Sequence, residues 1–293
     1  MKPAPFSYHR AGDVAEALTL LERYDGEAKL LAGGLSLVPM MNFRLARPAA
    51  LVDVSRIEGL SYLRPGTADG LRIGALTTHR TVEVSRDPAV LADFGVLPRS
   101  ARWIGHYPIR SRGTFGGSIA HADPASEWCL LAVLLEARIV LRGPGGERTV
   151  PAAEFFLGLY ETAAYPGEMI TEIWFPRPAR RATLTEFAQR QGDFAIVAAA
   201  VSAQVTDGTC DAVRIVLGGV GTRPLLLDTG ELAGAPATAA TWQAAGELAA
   251  AAIDPPSDGH ASGDYRKRLA ATLVTRALTE AATTGAAAGA TGA

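Results

Sequence analysis

This chain has little of what self-contained redox and metal sites are usually made from. Only two of its 293 residues are cysteine, Cys129 and Cys210. They form no CxxC pair, and two thiolates fall short of the four that an iron–sulfur cluster takes. Nor do they make a disulfide framework, so both read as reduced, buried thiols in a cytoplasmic protein. The five histidines, His9, His79, His106, His121 and His260, show no metal-ligand spacing, and no metal site is expected. Neither sign of charge is in excess. A formal net charge of −2 gives no global basic field, which argues against a nucleic-acid partner. No apolar run approaches the ~20 residues that cross a bilayer, so no membrane span is expected. Residues 1–6 lack the apolar stretch of a secretory signal. Three catalytic or nucleotide-binding signatures are missing too. No GxGxxG opens a helix in a βαβ unit, no GxxxxGK[ST] occurs, and there is no GxSxG elbow.

What is present is glycine in two pointed places. Lys29-Leu30-Leu31-Ala32-Gly33-Gly34-Leu35-Ser36 is one; Arg112-Gly113-Thr114-Phe115-Gly116-Gly117-Ser118-Ile119-Ala120-His121-Ala122-Asp123-Pro124 is the other. Each sets paired glycines beside small hydroxyl residues where an apolar run ends. Glycine lets backbone N–H groups come close to an anion and takes positive φ without steric cost. Two such loops facing each other can hold a pyrophosphate with main-chain donors, without a lysine cluster.

The rest of the chain, at 48% apolar and 20% charged residues, reads as ordinary globular protein. Asp13, with Glu16 three residues on, predicts a capped helix over Val14, Ala17, Leu18 and Leu21. With strands at 28–32 and 51–54, the first ~56 residues read as a small β-α-β unit. Alternation predicts strands at 71–76 and 169–175 and a hairpin around Gly143-Pro144-Gly145-Gly146. Short helices are expected near 81–92 and 100–104, and a buried one at 126–135. The Pro-Arg-Pro-Ala-Arg-Arg segment, 176–181, marks a boundary. Beyond it lie segments at 184–188, 195–205 and 212–217, two alanine-rich helices near 239–252 and 264–281, and a low-complexity tail. The divisions are 1–56, 57–177, 178–282 and a disordered tail, 283–293.

Locally, each motif also has a purely structural reading. Gly33-Gly34 suits a tight turn from strand to helix. Asp123 suits an N-cap for a helix begun by Pro124, with Glu127 assisting. His121 lies in the second glycine segment, where it would line a cofactor.

The two glycine segments are similar to those of one family. AGGLSLVPMMNFRLARP (32–48) resembles its AGGQSLLPMMNFRLARP-like stretch, and RGTFGGSIAHADPASE (112–127) resembles RGTIGGSIAHADPAAE. The family is the FAD-binding medium subunit of molybdenum hydroxylases, of the carbon monoxide dehydrogenase and xanthine dehydrogenase type. The opening Lys2-Pro3-Ala4-Pro5-Phe6, the stretch from Arg190 through Asp193 to Ala195, and Gly218-Gly219-Val220-Gly221 also resemble it, so the likeness covers nearly the whole chain.

That resemblance implies an α+β chain. A PCMH-type, vanillyl-alcohol-oxidase-like FAD-binding domain of two α/β subdomains would precede an α+β C-terminal domain. It implies that Ala32, Gly33, Gly34, Leu35, Ser36 and the adjoining Leu37 wrap the FAD pyrophosphate, with Thr114, Gly116, Gly117 and Ser118 on its other side. Lys29 and Leu30 would line the adenine end. Ala120, Asp123 and Glu127 would lie near the ribityl and isoalloxazine parts, with Ile170 and Phe194 close by. No residue is assigned a catalytic role. A large molybdopterin subunit and a small [2Fe-2S] subunit would be the partners, as a heterotrimer or a dimer of heterotrimers. NAD, a quinone or O2 would be the electron acceptor. Leu35, Ser111, Phe115 and Trp128-Cys129 depart from the family's usual Gln, Asn, smaller aliphatic and Leu-Pro, and bear on the shape of the local cavity. Two other readings stay open: a self-contained flavin oxidoreductase of the same superfold using His121, and a non-enzymatic module whose glycine segments are structural turns.

Overall fold

The computed structural model describes residues 2–66, 70–179 and 181–289. A three-stranded parallel sheet comes first, built from β1 (Ser7–Arg10), α1 (Val14–Arg23), β2 (Ala28–Leu31), α2 (Leu37–Asn42) and β3 (Ala50–Asp53). The strand order is β1-β3-β2, so the last strand lies between the first two. All four residues of β3 are buried, as a central strand covered on both faces requires. The helix α1 is capped as expected: Asp13 accepts from the Glu16 N–H at 2.8 Å, and the Glu16 carboxylate accepts from Gly12 N–H. Its apolar stripe buries Ala17, Leu20 and Leu21 against the sheet.

An antiparallel sheet follows, in the order β4-β5-β10-β6-β7. The strands β4 (Leu63–Gly66) and β5 (Gly70–Gly74) lead into α3 (His79–Glu83), α4 (Pro88–Phe94), α5 (Val96–Ser100), α6 (Tyr107–Arg112), α7 (Phe115–His121) and α8 (Glu127–Leu134). Then come β6 (Arg138–Gly143), β7 (Gly146–Pro151), α9 (Ala152–Phe155), the small hairpin β8 (Phe156–Gly158) and β9 (Glu161–Thr162), and β10 (Met169–Phe175). The helix expected at 100–104 lies earlier, as α5; Gly95 joins it directly to α4. In α8 every residue from Trp128 to Leu134 is buried. A helix apolar all round belongs between layers, and α8 packs with Ala198, Ala200 and Val216 of the next sheet in one continuous core.

That next sheet is antiparallel, in the order β11 (Ala182–Phe187), β12 (Val197–Thr206), β13 (Thr209–Gly218) and β14 (Leu225–Leu226). The two-residue period of a strand divides β12 cleanly. Ala198 and Ala200 face α8, while Val197, Ala199, Val201 and Ala203 face α10 (Ala239–Ala251) and α11 (Gly263–Gly289). Alanine on both faces lets helices approach from either side. The two helices meet at Gly246, where a Cβ would lie 2.4 Å from Thr275 Oγ1 and 2.5 Å from the Ala271 carbonyl oxygen. The chain expected to be disordered from Thr283 continues α11 to Gly289; the end of that stretch, 290–293, lies outside the described residues. Alanine has the highest helix propensity of the amino acids, and low complexity does not cancel it.

Candidate functional site

The first glycine motif emerges from the end of β2. Ala32, Gly33, Gly34, Leu35 and Ser36 form a half-buried turn, and α2 begins at Leu37, also half-buried. Lys29 is exposed and Leu30 half-buried on the strand before it. Gly34 sits at φ +77°. Among the described residues the N–H groups of Gly33, Gly34, Leu35 and Ser36 meet no acceptor within the protein. Ser36 is the N-cap of α2, yet its hydroxyl makes no capping bond. A half-buried turn with free donors is costly unless water or a ligand completes it.

The second motif is brought against the first. A Cβ on Gly33 would lie 2.3 Å from the Arg112 carbonyl oxygen and 3.0 Å from Gly113 Cα. However, the second motif is not a loop. From Phe115 onward it is the helix α7, with Thr114 as its N-cap accepting from the Gly117 N–H at 3.1 Å. The Phe115 N–H donates to the Thr77 carbonyl at 2.8 Å, Gly116 to Ala75 at 2.9 Å and Ser118 to Thr114 at 3.0 Å. These main-chain donors are therefore satisfied inside the protein. Gly116 is needed for close approach, since its Cβ would lie 2.6 Å from that of Ala75. The expectation of two facing turns with free amides is corrected to one such turn beside a capped helix. Gly117 and Ser118 are half-buried and Ala120 is exposed.

The departures at Phe115 and Trp128-Cys129 point into the core rather than into a cavity. Phe115 and Trp128 are fully buried and stacked at 4.5 Å, and Cys129 is buried. The indole N–H donates to His79 Nδ1 at 2.9 Å. Burial, helped by the Arg110 charge, lowers the His79 pKa to about 4, so the ring is neutral and able to accept.

Beyond α7 the chain turns through Ala122 at φ +54°. Asp123 is not the N-cap of α8; that position belongs to Ser126, whose hydroxyl meets that of Ser118 at 2.8 Å. Asp123 closes its own turn instead, Oδ1 accepting from Ala125 N–H at 2.8 Å, while Oδ2 accepts from the Tyr160 hydroxyl at 3.4 Å. Glu127 opens α8. Its pKa is raised by burial, then by the nearby carboxylates of Glu186 and Asp123. Burial also raises that of Glu186, whose Oε2 has no hydrogen-bond partner. Ile170 is 8% exposed and belongs to the core of the second sheet.

Phe194 is 73% exposed, on the connection from β11 to β12. That connection reaches the start of α6: a Cβ on Gly192, at φ +89°, would lie 2.6 Å from His106 Cε1. Arg266 of α11 holds its far end, donating to the Ile196 carbonyl at 2.5 Å, to Gly219 at 2.7 Å and to Asp258 at 2.7 Å. Sequence reasoning missed Tyr160, His79 and Arg266. None lies in a local motif, and each acts on residues distant in the chain. Among the described residues no three His, Cys, Asp or Glu side chains gather to hold a metal ion. Among them also, no helix is long and apolar enough to cross a membrane.

Two family models divide the chain between them. Residues 4–178 match the FAD binding domain in molybdopterin dehydrogenase, and 182–281 match the CO dehydrogenase flavoprotein C-terminal domain. The 6-hydroxypseudooxynicotine dehydrogenase complex subunit alpha of Paenarthrobacter nicotinovorans is 36% identical, over 96% of each chain. The carbon monoxide dehydrogenase medium chain of Hydrogenophaga pseudoflava is 37% identical, over 96% of this chain and 98% of its own. Among solved structures, quinoline 2-oxidoreductase from Pseudomonas putida 86 superposes with a TM-score of 0.91 at 34% identity, covering 97% of this chain and 99% of the chain it matches.

Proposed function

The chain belongs to the family of FAD-binding medium subunits of molybdenum hydroxylases, and on that premise we propose that it is the electron outlet of a larger dehydrogenase. In this reading a large molybdopterin subunit oxidises the substrate and a small subunit relays electrons through [2Fe-2S] clusters. FAD on this chain supplies the redox chemistry, taking those electrons and passing them to NAD, a quinone or O2. The assembly is a heterotrimer or a dimer of heterotrimers, in the cytoplasm. The relatives' names, which span a nicotine derivative, carbon monoxide and quinoline, fit a shared electron-carrying part under different substrate-binding ones.

The observation that carries the proposal is the turn at 33–36. Among the described residues its four N–H groups have no acceptor, and the Gly33 face is closed by the Arg112 carbonyl. Such a turn suits the oxygens of a diphosphate, with α2 starting immediately behind it. Lys29, Leu30, Ala32, Leu35 and Leu37 border the same turn. Next to it runs the helix that Thr114 caps, where half-buried Gly117 carries no Cβ, Ser118 shares its hydroxyl with Ser126 and Gly116 seats the helix on Ala75. Asp123, Glu127 and Ala120 follow at the far end of α7, where the flavin ring would lie. Exposed Phe194 is free to cover the ring. Ile170, inside the core, acts only as backing. Both cysteines are buried and free, which suits a chain that leaves one-electron clusters to its partners. Among the described residues no sheet crosses the bounds of 1–56, 57–177 and 178–282, which supports dividing the chain there.

Reconstitution of the purified chain with FAD tests the proposal. A bound flavin spectrum is expected, and its absence would sink the reading. The genes flanking this one should encode a large subunit with a molybdopterin pattern and a small cysteine-rich one.

A further inference from the structure

We propose that Tyr160, at the tip of the β8–β9 hairpin, is a positioning residue for the flavin: its hydroxyl fixes Asp123 and its ring covers His121. The inference rests on the flavin site proposed above. It starts from two turns, each with one strained residue, that meet. Tyr160 is at φ +56° and Ala122, next to Asp123, is at φ +54°. A left-handed backbone is strained for a residue with a Cβ, and such strain persists where surrounding contacts enforce it. Here the contacts lie between the two strained turns. The Tyr160 ring stacks on His121 at 4.9 Å with 24° between the planes, and its hydroxyl reaches Asp123 Oδ2 at 3.4 Å.

Core burial does not account for this placement, because Tyr160 is 50% exposed. The hairpin is anchored behind it instead. Phe156 of β8 is buried in the core, and Arg223 donates to its carbonyl at 3.5 Å. With Oδ1 of Asp123 held by Ala125 N–H and Oδ2 by Tyr160, the carboxylate is restrained at both oxygens. Burial and the Asp123 charge both raise the phenol's pKa, so it stays a donor at neutral pH. The hydrogen bond draws negative charge off the carboxylate. A flavin beside Asp123 therefore meets a weaker negative field than a bare aspartate would give, and its reduction is correspondingly easier.

The test uses the full chain loaded with FAD, comparing wild type, Y160F, D123N and the double variant. In Y160F the flavin midpoint potential is expected to move to a more negative value, and FAD affinity to fall about twofold, the low end for a hydrogen bond, in keeping with an O···O distance of 3.4 Å. On the D123N background the same substitution should change neither quantity, because the partner is gone. An arm independent of FAD uses NMR titration of the apoprotein, with the His121 signal assigned by H121N. Burial lowers the His121 pKa and the Asp123 charge raises it, so Y160A, which removes the ring, should raise it towards the ordinary ~6.5, while Y160F, which keeps the ring and only strengthens the Asp123 charge, should raise it less. Wild-type potential and affinity in Y160F, or a shift that persists on D123N, would overturn the positioning role. An unmoved His121 in Y160A would overturn the cover. A wild-type chain that binds no FAD would instead defeat the functional proposal and the flavin half of this one, with the His121 arm still deciding the contact.

Discussion

The two glycine motifs look alike on paper and do different physical work. In the first, a turn after a parallel strand leaves the N–H groups of residues 33–36 without acceptors among the described residues. In the second, the corresponding N–H groups are taken by Thr77, Ala75 and the Thr114 side chain and carbonyl. The first motif keeps its donors open; the second spends them on the fold. Glycine at Gly34 supplies positive φ, whereas glycine at Gly116 supplies the absence of a side chain where helix α7 touches Ala75. Paired glycines in a sequence therefore report a steric requirement, without saying whether a ligand or the protein itself imposes it.

The comparison can be broken by substitution. The largest expected effect is in the core behind the second motif. W128A removes a fully buried ring that stacks on Phe115 and caps His79, and thermal or urea unfolding should record a loss of ~3–5 kcal/mol. G116V comes next. Its Cβ would lie 2.6–2.8 Å from Ala75 atoms, two of them backbone; a cost of ~1–3 kcal/mol or more is expected, with FAD lost only as the fold is lost. G34A in the first motif should show the reverse weighting. A left-handed alanine costs ~1–2 kcal/mol, but FAD affinity, read by flavin fluorescence, should fall by more than that stability loss explains. Equal falls in stability and affinity would erase the distinction between the motifs.

A pH experiment sharpens the same contrast around the helix that follows the second motif. Glu127 and Glu186 have folded pKa values raised above the ordinary 4.5, first by burial. A raised pKa means that the folded state binds protons more tightly than the unfolded one. Their stabilisation is thus full below about pH 4.5 and is lost as pH rises through the folded values. In E186Q the loss of stability from pH 5 to pH 9 should shrink by ~1–2 kcal/mol in chemical unfolding; an unchanged slope would count against the Glu127–Glu186 pair as its source. The smallest effect is expected from T114A, ~1 kcal/mol in thermal unfolding for the lost cap on Gly117 N–H.

Much of the local architecture was legible beforehand. The Asp13 and Glu16 cap, the hairpin over Gly143-Pro144-Gly145-Gly146, the strand Met169–Phe175 and the buried helix after Ser126 follow from short-range rules and appear in the fold. Short-range rules also produced the errors. Asp123 before Pro124 has the local signature of a helix cap, but the chain makes one more turn and starts the helix at Glu127. The glycines at 116 and 117 suggested a loop, yet Thr114 caps a helix through them because Ala75 and Thr77 supply acceptors for its first amides. Arg266 and Tyr160 carried no local signal at all, since their partners lie far away in sequence.

The amino-acid order alone set where donors, caps, turns and apolar stripes lie, because these depend on neighbours within a few residues. The tertiary structure decided which donors remain open to a ligand. That outcome depends on acceptors brought in from distant parts of the chain: Ala75 and Thr77 bond the amides of the second motif, and among the described residues none bonds those of 33–36.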